Sequence, residues 1–98
     1  TDWSVYLIRT RQGSLYTGIA LNVEQRLQQH VSGQGGAKYL RAKGPLQVVY
    51  QIVAGDRALA SRMEYRIKRL KKSQKEEIVA GSLDRQTLMI FLGLEAPG

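Results

Sequence analysis

Tyr6, Tyr16, Arg26, His30 and Glu64 are the residues of this chain whose types and spacing could do chemistry together. Nine residues separate the two tyrosines, Arg26 stands eight beyond Gly18, and His30 stands four beyond Arg26. A guanidinium can stabilise charge that builds on a phosphate under attack. A single carboxylate, completed by water and phosphate oxygens, suits a hard divalent cation. A phenol or an imidazole can move a proton if its pKa is brought into range. Together these are the groups a metal-assisted phosphodiesterase needs. Singly, each has a plainer reason to be present. Aromatics pack well on strands, and a protonated imidazole is favoured near a helix C-terminus. Glu64 has Lys68 four residues later, a surface pair worth only ~0.3–0.5 kcal/mol. Their joint order is what points to a site.

The segments that would position these groups can be traced along the chain. Trp3 to Thr10 alternates, with Trp3, Val5 and Leu7 on one face and Ser4, Tyr6 and Ile8 on the other. Arg11-Gln12-Gly13 supplies a turn, and Leu15 to Ala20 the returning strand. Two pairings fit: Tyr6 opposite Tyr16, or Tyr6 opposite Gly18 with Tyr16 diagonal. Both put the phenols on one face, because strand side chains alternate with period two. Asn22 is an N-cap for a helix from Val23 to about Val31, with Arg26 and His30 together beside the apolar stripe of Val23, Leu27 and Val31. Glycines in 32–36 end that helix. Leu46 to Val53, rich in β-branched residues, reads as a third strand, central or flanking. Asp56 caps a long helix from Arg57 to about Lys72, with Leu59, Met63, Ile67 and Leu70 as its seam. Ser73-Gln74-Lys75-Glu76 matches a capping box for a short helix to Ala80, and Asp84 to Leu92 forms a last one, docking Leu88, Phe91 and Leu92. The expected fold class is α+β, a small three-stranded antiparallel sheet flanked by helices.

Composition sets the bounds. Ninety-eight residues make a single domain, and 43% hydrophobic content makes it globular. There is no cysteine, which excludes disulfides, thiolate metal sites and thiol nucleophiles. No apolar run approaches the ~20 residues of a membrane span, and no signal-peptide pattern is visible. The expectation is a cytoplasmic protein with no membrane partner.

Charge identifies the partner class. Fifteen Lys and Arg against eight Asp and Glu leave +7, with an isoelectric point near 10.1. Between Arg57 and Lys75 lie eight cations and only Glu64 in opposition, so this stretch carries the entire net charge. Lys38, Arg41 and Lys43, with Tyr39 among them, form a second basic group. Clustering of this kind is the footprint of a phosphate-backbone binder.

Ser4-Val5-Tyr6 and Tyr16-Thr17-Gly18, followed by Arg26, His30 and Glu64, resemble the GIY-YIG nuclease domain. Its relatives include homing endonucleases, some restriction enzymes, junction-cutting endonucleases and a nucleotide-excision-repair nuclease. The resemblance covers roughly residues 3–80 of the single domain 1–98, leaving 81–98 as a C-terminal extension. It suggests a small stand-alone bacterial version of the YhbQ type. The first motif lacks the family glycine, the second has Thr17 for isoleucine, and the asparagine that many members carry late in the domain has no counterpart, since the only asparagine is Asn22.

The resemblance implies a metal-dependent endonuclease acting on DNA, selective for structure rather than sequence, in repair or recombination. Glu64 would hold one Mg²⁺ or Mn²⁺ ion, and Arg26 would stabilise the attacked phosphate. Tyr6 or Tyr16 would take a proton from water, which requires nearby cations to lower a phenol pKa ordinarily near 10. His30 would share that proton or orient the phenol. Lys38, Arg41, Lys43, Lys68, Lys71 and Lys72 would hold the nucleic-acid backbone without reading sequence. The other classes are a weak or inactive nucleic-acid-binding module on the same fold, and a basic RNA-binding protein.

Overall fold

The computed structural model describes residues 2–32 and 45–94. Strands β1 (Trp3–Arg9), β2 (Leu15–Ala20) and β3 (Gln47–Gly55) form an antiparallel sheet in the order β2-β1-β3. Helices α1 (Val23–Ser32), α2 (Arg57–Lys68), α3 (Lys72–Gly81) and α4 (Arg85–Phe91) pack around it. This is the expected α+β arrangement, with β3 flanking and β1 central.

The central position of β1 explains its composition. Val5 and Leu7 face a core shared with Met63 and Ile67 of α2, Ile78 of α3 and Leu88 of α4. Tyr6 and Ile8, on the opposite face, pack with Ala20 and with Val23 of α1. All four strand residues are buried. Removing each from water contributes ~1.5–3 kcal/mol, so β1 is anchored on both of its faces. The hairpin turns at Thr10–Ser14, where Gly13 takes φ +89° and its N–H donates to the Thr10 carbonyl at 2.9 Å. An L side chain resists that backbone conformation. Of the two registers the sequence allows, the hairpin adopts the one that sets Tyr6 opposite Gly18 and Tyr16 opposite Ile8.

Three expected details differ. The helix after Asp56 ends at Lys68, not near Lys72, with Arg69 as C-cap. The chain breaks there so that Leu70, partly buried, and Ile78, fully buried, can both reach one core. The following helix starts before Ser73: Lys71 is its N-cap, and the Lys71 N–H donates to Gln74 Oε1 at 3.0 Å. In α4 the docking residues are Leu88, Met89 and Leu92, while Phe91 is exposed, because the buried stripe runs one residue away from it. The last segment is also tied by hydrogen bonds. Tyr50 Oη donates to the Leu83 carbonyl at 2.6 Å and Arg85 Nε to the Ala54 carbonyl at 2.7 Å. Packing thus continues to Leu94, which is buried.

Candidate active site

Tyr6 from β1 and Tyr16 from β2 share the sheet face covered by α1. The Tyr6 ring lies across Gly18, where a Cβ would collide with it. Only a glycine lets the ring pass so close to the neighbouring strand. α1 is fixed at its start by Asn22, whose Oδ1 accepts from the Gln25 N–H at 2.9 Å. One turn apart, Arg26 and His30 then point to the same side. His30 Nε2 lies 3.0 Å from Tyr6 Oη. The Tyr16 ring stands edge-on to the imidazole, with centroids 5.5 Å apart and planes at 75°. The Arg26 guanidinium hydrogen-bonds the Tyr6 phenol and also donates from Nη1 to Gln29 Oε1 at 2.9 Å.

Four of the five residues singled out from the sequence therefore form one cluster. The fifth, Glu64, comes from α2, whose buried seam packs on the Val5 and Leu7 face. Its carboxylate is near enough to act on the Tyr6 phenol electrostatically. Lys68 Nζ lies 3.4 Å from Glu64 Oε2.

Residues 2–77 match the sequence model of the GIY-YIG catalytic domain, most of the chain. The chain belongs to the GIY-YIG family. It is similar to the UPF0213 protein SG0387 of Sodalis glossinidius, 56% identical over 93 residues that cover 95% of this chain and 83% of that protein. The UPF0213 protein YhbQ of Escherichia coli strain K12 is 58% identical over 80 residues, 82% of this chain and 79% of that one. Among solved structures, the solution NMR structure of the UPF0213 protein BH0048 from Bacillus halodurans shares 36% identity. It covers 82% of this chain and 84% of its own, with a TM-score of 0.53.

The electrostatics of this GIY-YIG cluster separate its two phenols. Burial pushes Tyr6 up to about 12; the hydrogen bond from Arg26 works against that, and the charges of Tyr16 and Glu64 add to it. A phenol lowered by neighbouring cations, as the sequence reading required of a base, is therefore not what Tyr6 provides: one guanidinium does not offset the loss of water. Tyr16 is only partly buried. His30 is lowered, first by burial and then by the Arg26 charge, so it is neutral at pH 7. That removes the helix-terminus explanation for it, which needs a protonated ring. Tyr6 Oη and His30 Nε2 share one hydrogen, carried by the phenol in one imidazole tautomer and by Nε2 in the other. Nδ1 is buried and has no hydrogen-bond partner among the described residues.

Of the expected backbone-binding cations, Lys68 pairs with Glu64, and Lys72 Nζ lies 3.9 Å from Glu76 Oε2. Lys71 is exposed at the start of α3. Lys38, Arg41 and Lys43 lie outside the described residues. A feature absent from the sequence reading is an open cleft of about 360 Å³ beside Arg26. Trp3 is at its edge, with the Arg57 guanidinium 5.3 Å from the indole ring centroid. Trp3 pairs with Gly55 across the sheet, which brings residue 57 alongside. No local pattern links positions 3 and 57, so only the strand pairing could have found this contact.

Proposed function

We propose that this chain is a divalent-metal-dependent endonuclease that hydrolyses phosphodiester bonds in DNA, choosing its substrate by structure rather than sequence, in repair or recombination. The observation that supports it most is the cluster in which Tyr6 hydrogen-bonds both His30 and Arg26, with Tyr16 at its rim. A buried phenol–imidazole pair holding a guanidinium is a costly arrangement for packing alone, since it leaves His30 Nδ1 unpartnered.

Roles follow from exposure and charge. Arg26, held by Tyr6 and Gln29, donates to the non-bridging oxygens of the scissile phosphate as negative charge grows there. Tyr6 is a positioning residue, whose raised pKa keeps it protonated in its hydrogen bond with His30. The attacking water gives its proton to Tyr16, the phenol that solvent reaches. His30, edge-on to Tyr16, fixes that ring. A phenol that must first ionise makes the rate climb with pH. Glu64 is the carboxylate that would hold one Mg²⁺ or Mn²⁺ ion; one hard oxygen donor near the cluster fits an ion that keeps most of its water. When bound, such an ion supplies Lewis-acid stabilisation of the leaving oxygen. The exposed cations of α2 and α3 hold the backbone.

The test is a nicking assay with and without Mn²⁺ on duplex, flap, junction and single-stranded DNA, comparing the parent with Glu64→Gln. Divalent-dependent cleavage that disappears in the variant is the expected result. Equal rates would remove Glu64 as the ligand. A second reading, a binding module without turnover, is favoured by the missing late asparagine: Asn22 is spent capping α1. Tight binding with no cleavage on any substrate would select it.

A further inference from the structure

The cleft beside Arg26 has the chemistry of a nucleotide subsite, and nothing in the cluster of Tyr6, His30 and Tyr16 requires it. Its walls carry one large aromatic ring, Trp3, two guanidiniums, Arg26 and Arg57, and the side-chain amides of Asn22, Gln25 and Gln29. Its volume, about 360 Å³, falls at the lower end of the range for small-ligand sites, which suits one nucleoside. Indole is half-buried at the start of the central strand, and a cation already lies over its face. A planar π system can take that position, with Arg57 moving to a phosphate or closing over the second face. The amides supply donors and acceptors for a base edge.

We infer that this cleft binds a single unpaired nucleobase, stacked on Trp3, next to the scissile phosphate. Arg26 sets the geometry: it lines the cleft and also touches the Tyr6 phenol, so a nucleotide seated there has its phosphate at the reacting cluster. The base must be unpaired, because in an intact duplex both its faces are covered by stacking and its edge is paired. Selectivity for structure would then come from this pocket, with the basic helices adding affinity that is blind to structure. The inference rests on the nuclease reading for the position of the cut, but it makes a binding prediction of its own.

Trp3 is the only tryptophan in the chain, so its emission reports the cleft directly. The full chain, without added metal, is titrated with a short single-stranded oligonucleotide, a duplex of equal length and an abasic strand of equal length. Anisotropy of a label on each nucleic acid measures binding independently. Quenching of tryptophan emission by the single strand, with little quenching by bound duplex or bound abasic strand, is expected. Trp3→Leu should weaken single-strand binding on the order of 10- to 100-fold relative to duplex, the worth of one stacked base. Trp3→Phe should restore part of it, which a purely structural role for Trp3 would not do for one substrate alone. Equal quenching by the abasic strand would overturn the inference in favour of a phosphate contact that displaces Arg57. Binding and cleavage of DNA with unchanged emission would overturn it and leave the nuclease reading intact. Absence of any nucleic-acid binding would overturn both.

Discussion

Replacing Tyr6 with phenylalanine removes one oxygen and should cost far more than a surface hydroxyl would. Tyr6 is 1% exposed and His30 fully buried, and their hydrogen bond is 3.0 Å long. The variant keeps the ring against Gly18 and the packing with Ile8, so it makes no cavity larger than the hydroxyl. What it loses is the partner that His30 Nε2 has among the described residues. Because Nδ1 has none already, both ring nitrogens would then be buried and unpaired. Leaving a buried donor or acceptor unsatisfied costs about 1–3 kcal/mol. In a domain of this size each kcal/mol moves Tm by about 4–8 °C, so the expected loss is on the order of 5–20 °C by circular dichroism at pH 7.5. Tyr16→Phe, at a partly exposed site, should lose less than half as much. Activity should separate the two differently. Tyr6→Phe loosens Arg26 and should lower kcat, whereas Tyr16→Phe removes the proton acceptor and should abolish turnover with the fold intact. A Tyr6→Phe protein that melts within about 1 °C of the parent would refute the buried pair, and with it the positioning role.

The other predictions are more compact. His30 has a folded pKa below its unfolded value because of burial and Arg26, so the native state binds fewer protons. Its contribution to stability is fully present above pH ~6.5 and is lost as pH falls below that value. Thermal melts should show this, with His30→Gln flattening the dependence. Tyr6 and Tyr50 are both pushed up to about 12 by burial; here the native state keeps protons that the unfolded chain releases. Stability should therefore fall as pH rises from 10 towards 12, and absorbance at 295 nm should show Tyr6 and Tyr50 ionising late. Arg26→Ala should lower kcat on the order of 10²-fold or more with a much smaller loss of affinity. A rise in KM with kcat unchanged would reassign it to ground-state binding. If ~4–6 cations contact phosphates, log K against log salt should have a slope of roughly −4 to −5 on duplex DNA. Combining Lys71→Ala with Lys72→Ala should reduce that slope by up to about 2, and a slope near zero would make the basic helices a mere solvated face.

Most of the fold was legible because its signals are local. Alternation in Trp3 to Thr10, the caps at Asn22 and Asp56, and the glycine at the hairpin turn each act within a few residues. The register was not legible, since Tyr6 opposite Tyr16 and Tyr6 opposite Gly18 satisfy the same alternation. Tertiary packing decides it: the Tyr6 ring needs a neighbour with no side chain, and Gly18 is the residue on β2 that has none. The break after Lys68 was hidden for a similar reason. The helical pattern runs on through Leu70, and only the need to bring Ile78 to the same core turns the chain.

At the site, residue types were legible but their charge states were not. A phenol near basic residues and an imidazole at a helix C-terminus suggest a lowered phenol and a raised imidazole pKa if burial is ignored. Burial reverses both, sending Tyr6 up and His30 down. The consequence for mechanism is that the inner pair cannot exchange a proton cheaply with water near neutral pH, since either ion would be stranded in the interior. On the proposed mechanism, proton transfer then falls to the phenol at the rim, Tyr16, and the inner pair is left to hold Arg26 in place. A tyrosine pair that looks symmetrical in sequence is thus divided by depth alone. The same division explains why Gly18 stands opposite the inner phenol, where the ring needs the space.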